Sequence, residues 1–160
     1  MFAKPIGARM SQNIVVPDLG SKIANVQLID TAGTTTDLDT LRGEERAVVF
    51  FLRASSCAIC LGHAKAITAL AADGSLGNAR VILVTPGDAA QAELATARVP
   101  GATIWASGDA HAEVGLGKFL AIQHSGTFLV NADGTIAYTK TSTLPMGSFS
   151  KPELLAAITR

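Results

Sequence analysis

Residues 47–63 read AVVFFLRASSCAICLGH. The first six are a continuous β-branched and aromatic run, the pattern of a strand buried on both faces. The stretch beginning at Ala58 has helical spacing, with Cys60, Ala64, Ile67 and Ala71 expected along one face and Gly74 near its end. RVILVTP (80–86) is a second buried strand. Strand, helix and strand in that order make a βαβ unit, and hence a parallel pair with a right-handed crossover.

Upstream, ANVQLID alternates as a strand does, TAGTTTD reads as a turn, and LDTLRGE reads as a short helical turn ended by Gly43. Downstream, Asp88 with Gln91 forms a capping box for a helix to about residue 97, closed by Pro100 and Gly101. ATIWA is a short strand, with Trp105 packing in or beside it, and Asp109 is expected to cap a weak helix interrupted by Gly115 and Gly117. GTFLVNADGTIAYT (126–139) is a hairpin signal, two β-rich runs around Asp133-Gly134. Ser150 and Glu153 give a second capping box, with Pro152 in the first turn of a last helix, KPELLAAIT. The fold class expected is α/β, a central mixed sheet made of a parallel βαβ half and a C-terminal antiparallel hairpin, with helices on both faces. Residues 1–20 read as an N-terminal lead-in and 21–160 as one domain.

Composition narrows the function. In 160 residues, 13 basic side chains balance 13 acidic ones, and no run of Lys or Arg offers a footprint for nucleic acid or an anionic membrane. No apolar run approaches the roughly 20 residues a bilayer requires. The start, MFAKPIGARMSQN, lacks an apolar signal core. Two cysteines in one short motif are no disulfide framework, and this suits a reducing cytoplasm. Ser and His occur without G-x-S-x-G, and Gly115-Leu116-Gly117 matches no full phosphate-binding fingerprint.

Both cysteines lie in the opening stretch, Cys57 where the helix begins and Cys60 one turn deeper. A thiol at a helix N-terminus faces unpaired backbone N–H groups and the positive end of the helix dipole. Such sites lower a thiol pKa from about 8.5 to roughly 3.5–7.5. At i, i+3 the sulfurs are near enough to bond, so Cys57 is expected as the exposed attacking thiolate and Cys60 as the sheltered resolving thiol. Ser55 and Ser56 are placed to donate hydroxyl hydrogen bonds to the same anion. The alternative is a metal or iron–sulfur site using both thiolates. His63, however, falls about 240° round the helix from Cys57, and a closed zinc site wants four ligands, so His111 or His124 would have to be recruited from afar. A third reading is a scaffold with two silent core thiols.

The chain resembles the thioredoxin-fold superfamily, and within it the alkyl hydroperoxide reductase/thiol-specific antioxidant (peroxiredoxin-like) group. The likeness spans roughly residues 20–159 and is carried by VQLIDTAGTTTDLDTLRGE, VVFFLRASSCAIC, GTFLVNADGTIAY and ELLAAI. The resemblance implies a thioredoxin-like fold, with Cys57 matching the nucleophilic and Cys60 the resolving cysteine. It implies a peroxide or a disulfide as substrate, an external thiol reductant of thioredoxin or glutathione type, and no cofactor, and it is compatible with a homodimer. The departures are specific. Ala54 stands where the family places a Thr, Ser125 stands where it places an Arg or a cis-Pro, and Ser56 replaces a common Trp. Arg53 is the nearby substitute for the lost donors; otherwise it is a strand-end Arg facing solvent. His124 and Ser125 are expected in the loop facing Cys57, where a His can stabilise a thiolate or shuttle a proton; otherwise His124 is a solvated loop residue. His63 reads as a helix-face residue, and His111 as decoration of a first turn.

Overall fold

The computed structural model describes residues 17–119 and 122–160. Most of the expected lead-in therefore lies outside the described residues. The chain runs β1 (Gln27–Ile29), β2 (Thr35–Asp37), α1 (Leu38–Arg42), β3 (Ala47–Phe51), α2 (Ala58–Ala72), β4 (Arg80–Thr85), α3 (Ala89–Arg98) and β5 (Ile104–Ala106). A 3-10 turn (Ala110–Val114), β6 (Lys118–Phe119), β7 (Ile122–Gln123), β8 (Ser125–Val130), β9 (Ile136–Ser142), a second 3-10 turn (Pro145–Gly147) and α4 (Lys151–Ile158) follow.

Seven strands form one mixed sheet in the order β2-β1-β5-β4-β3-β8-β9, while β6 and β7 pair separately. β3 and β4 are parallel, as the βαβ reading requires. β8 runs antiparallel to both β3 and β9, and the hairpin between β8 and β9 turns at Gly134 with φ 90°. TAGTTTD is only half a turn, because its last residues form β2 against β1. The polar Thr side chains suit an edge strand with little to bury.

Alternation along β3 divides the core. Val48, Phe50 and Leu52 pack with Leu61, Ala64 and Ile67 of α2 and Leu154 of α4, together with Ala95 of α3 and Val99 at its C-terminal end. Val49 and Phe51 face the other way, toward Leu28, Leu38, Val114, Leu116 and Phe128. The helices are thus distributed unevenly: α2, α3 and α4 cover one face, and α1 with the Ala110–Leu116 segment covers the other. The buried stripe of α2 is Cys60, Leu61, Ala64, Ile67 and Leu70, while Ala71, expected on it, is exposed. Leu displaces Ala there because it removes more apolar area from water.

The Asp88–Gln91 capping box forms as expected. Ser150 caps α4 by accepting from the Glu153 N–H, but the Glu153 carboxylate does not reach back, being taken by Tyr138 and Lys140. Asp109 makes no side-chain cap. Among the described residues no helix is long and apolar enough to cross a membrane.

Candidate active site

β3 delivers the chain to its own C-terminal end, where a four-residue turn, Arg53 to Ser56, leads into α2. Cys57 is the N-cap of α2, with extended backbone at φ −74° and ψ 108°. Its sulfur accepts the Cys60 N–H at 3.3 Å, the role a Ser or Asp oxygen commonly fills. One turn on, the Cys60 sulfur accepts the Arg53 N–H at 3.3 Å. Each sulfur therefore holds one backbone donor, and both cysteines are reduced.

The two thiols are driven in opposite directions. Burial pushes Cys57 up, but the Cys60 thiol and N–H, with the Arg53 guanidinium, outweigh it and hold Cys57 below its ordinary value. Burial dominates at Cys60 and the neighbouring Cys57 adds to it, so that thiol is pushed up to about 12 despite the Arg53 N–H. Cys57 is less open than expected, at 5% exposure, and Cys60 is fully enclosed.

Arg53 is half-buried, with its Nε enclosed and unpaired; its side chain lowers Cys57 by hydrogen bonding and, less, by its charge. Ser55 and Ser56 stand at the rim, and neither hydroxyl bonds to a sulfur among the described hydrogen bonds. Ser125 follows the Phe51–Gly126 register pair, which puts it across from Leu52 at the sheet end from which the cysteine turn departs. Its hydroxyl is buried without a partner. His124 is not a solvated loop residue: it is 1% exposed, its Nε2 lies 3.3 Å from Thr143 Oγ1, and its Nδ1 is unpaired. Burial pushes its imidazole below the usual histidine range. No hydrogen bond joins His124 or Ser125 to either sulfur.

The other histidines are also committed away from the sulfurs. His63 Nε2 lies 2.9 Å from the Pro145 carbonyl, tying α2 to the second 3-10 turn. His111, read as decoration of a first turn, is instead fully enclosed and bonds to Ser107 and to the Leu52 carbonyl. Nothing in the residues flanking His111 announces this. Among the described residues no three His, Cys, Asp or Glu side chains are grouped to hold a metal. A cavity of about 680 Å³ lies beside the second half of α2 and residues 100–105, and neither cysteine lines it.

Comparisons with known proteins bear on the family and the fold. Residues 18–158 match the family model described as Redoxin. Comparison with curated proteins gives no sequence match. Among solved structures, the peroxidoxin BcpB of Mycobacterium tuberculosis superposes with a TM-score of 0.70 at 21% identity, over 88% of this chain and 96% of that one. Reduced Prx3 of Vibrio vulnificus in complex with H2O2 gives 0.71 at 16%, over 89% and 99%. A secreted disulfide oxidoreductase of Mycobacterium tuberculosis, homologous to DsbE of E. coli, gives 0.60 at 16%, over 84% and 95%. At these identities the likeness establishes the fold alone, and the fold is thioredoxin-like. The family match spans nearly the whole described chain, and on that ground the protein belongs to the Redoxin family.

Proposed function

We propose that this protein is a thiol-dependent oxidoreductase that reduces a peroxide through the Cys57–Cys60 pair. The observation that carries the reading is two sulfurs one helical turn apart at the start of α2, Cys57 at the N-cap accepting the Cys60 N–H and Cys60 enclosed beneath it accepting the Arg53 N–H. The surroundings hold Cys57 below an ordinary thiol and push Cys60 up. Nucleophilic attack requires thiolate, so Cys57 reacts first.

The Cys57 thiolate attacks one peroxide oxygen, the O–O bond breaks, and the departing oxygen takes up a proton to leave as water or an alcohol. Cys57 becomes a sulfenic acid. The Cys60 sulfur then displaces the hydroxyl, which leaves as water with the proton shed by Cys60, and a Cys57–Cys60 disulfide forms. An external thiol donor, of thioredoxin or glutathione type, returns two electrons by attack on that disulfide. The Arg53 guanidinium beside Cys57 favours the anion before attack and the developing charge during it.

A disulfide is the alternative substrate. The C-x-x-C spacing and the likeness in fold to a disulfide oxidoreductase favour it, while the 5% exposure of Cys57 favours the smaller peroxide. Rapid mixing of the reduced protein with hydrogen peroxide, an organic peroxide and a model disulfide separates the two. Cys57→Ser should abolish the fast reaction, and Cys60→Ser should keep the first step and accumulate its product. Equal, slow rates for all three proteins with every oxidant would overturn the reading.

A further inference from the structure

Leu52 continues the β3–β4 ladder one step past the strand, its N–H donating to the Val84 carbonyl at 2.7 Å. In a parallel ladder its carbonyl would then accept from the residue two beyond Val84. That residue is Pro86, which has no N–H to give. A buried carbonyl without a donor is costly, and another group must supply one.

His111 supplies it. Its Nε2 lies 2.9 Å from the Leu52 carbonyl. A carbonyl only accepts, so Nε2 carries the proton and Nδ1 is the acceptor, 2.8 Å from Ser107 Oγ. Ser107 is itself fixed, its N–H donating to the Thr85 carbonyl at 2.9 Å. The ring is enclosed and stands edge-on to Phe51 at 5.0 Å between centroids. Its position is therefore set from three sides.

The Leu52 carbonyl and the Arg53 N–H belong to the same planar peptide unit. One side of that plane is held by His111, and the other donates to the Cys60 sulfur at 3.3 Å. We propose that His111, oriented by Ser107, is a positioning residue for the dithiol: it fixes the Leu52–Arg53 peptide so that its N–H faces Cys60 and stabilises that sulfur when it attacks or leaves as thiolate. A hydrogen bond to the carbonyl also polarises the amide and strengthens its N–H as a donor. Cys57 takes its backbone donor from Cys60 instead, so His111 acts on the second thiol step and not on the first. The inference rests on the assignment of Cys57 as attacking and Cys60 as resolving sulfur.

The test uses the reduced full chain and 4,4′-dithiodipyridine, which reports both steps. Cys57 thiolate attacks the reagent and releases one thiopyridone. Cys60, losing its proton, then attacks the Cys57 mixed disulfide, releases a second thiopyridone and closes the Cys57–Cys60 bond. His111→Phe keeps the ring but removes the donor, and His111→Gln keeps an amide N–H near the position of Nε2. The expected result is a second release slowed about tenfold by His111→Phe, the scale of one hydrogen bond to a charged group. His111→Gln should restore it to within about threefold of wild type, and the first release should be unchanged in both. A second release at the wild-type rate in His111→Phe, or equal slowing of both releases, would overturn the proposal. Should His111→Phe fail to fold, Ser107→Ala decides: a selective slowing of the second release supports it, and an unchanged one overturns it. A wild-type first release no faster than that of a free thiol would instead overturn the assignment of Cys57, a separate result.

Discussion

The Cys60 N–H points at the Cys57 sulfur across 3.3 Å, so the residue assigned to resolve the reaction also stabilises the anion that begins it. The donor is backbone and cannot be lost by mutating a side chain. The Cys60 thiol adds a second stabilising contribution, and the Arg53 charge a third. At Cys60 complete burial outweighs the Arg53 N–H and the smaller pull of the Arg53 charge.

The pH dependence of alkylation should therefore split the pair. With iodoacetamide, Cys57 in the wild-type protein should react with a midpoint below that of a free thiol. Its thiolate fraction at neutral pH should exceed that of a free thiol. In Cys57→Ala the remaining Cys60, still buried, should stay nearly inert at neutral pH, with a midpoint above that of a free thiol. Site-resolved mass spectrometry distinguishes the two, and the reverse order of reactivity would refute the assignment.

Arg53 should be felt more at Cys57, which its side chain reaches by hydrogen bonding and charge, than at Cys60, where its charge is the last of the contributions. Arg53→Met removes the guanidinium but leaves the Arg53 N–H that serves Cys60. Cys57 should then lose about tenfold in alkylation rate at pH 7, one pKa unit's worth of thiolate, while the rate of disulfide closure changes little. Arg53→Lys should fall between the two, since it keeps charge on a less rigid stem. An unchanged Cys57 rate would place the charge outside the mechanism.

Much of this site was legible in the chain and some was not, for identifiable reasons. The β3–α2–β4 unit could be read because AVVFF has no polar residue to contradict burial on both faces, and all five residues are buried. The placement of Cys57 at the N-cap followed from it. The reduced exposure of Cys57 and the burial of His124 depend on how loops fold over the sheet end, which no periodicity encodes. His111 was missed because the need it meets arises at Pro86, distant in sequence and brought near only by the sheet. The absence of an N–H at Pro86 was visible; which group would compensate was not.

The sheet beside the site leaves little room at Gly126. A Cβ there would lie 2.8 Å from Thr141 Cγ2, 3.2 Å from the Lys140 carbonyl and 3.3 Å from Leu116 Cδ2. The Thr141 methyl can rotate away, but the Lys140 oxygen belongs to the paired strand β9 and cannot. Gly126→Ala should cost about 1–3 kcal/mol, as overpacking of a full core does. Urea unfolding measures this directly, and a neutral result would mean that β8 and β9 separate locally at little cost.

Stability should fall with acid through His111. Burial, with a smaller contribution from the Lys118 charge, outweighs the Leu52 carbonyl and lowers the imidazole from 6.5 to about 4. Between those values the unfolded chain binds a proton that the folded one refuses, so the stabilisation is complete above pH 6.5 and is lost progressively as pH falls toward 4. The loss is on the order of 3 kcal/mol. The exposed carboxylates of Asp37, Asp73 and Asp133 are held below 3.8 and lose their contributions only at lower pH, so the windows separate. His124, also lowered by burial, adds a smaller slope in the same direction. Gln at position 111 does not titrate and can retain both hydrogen bonds. Urea unfolding at pH 7, 5.5 and 4.5 should therefore show a steep loss for wild type and a much shallower one for His111→Gln. Parallel slopes would mean that His111 takes up its proton within the folded protein, which its bond to the Leu52 carbonyl could survive only if Ser107 turned its oxygen toward the new N–H.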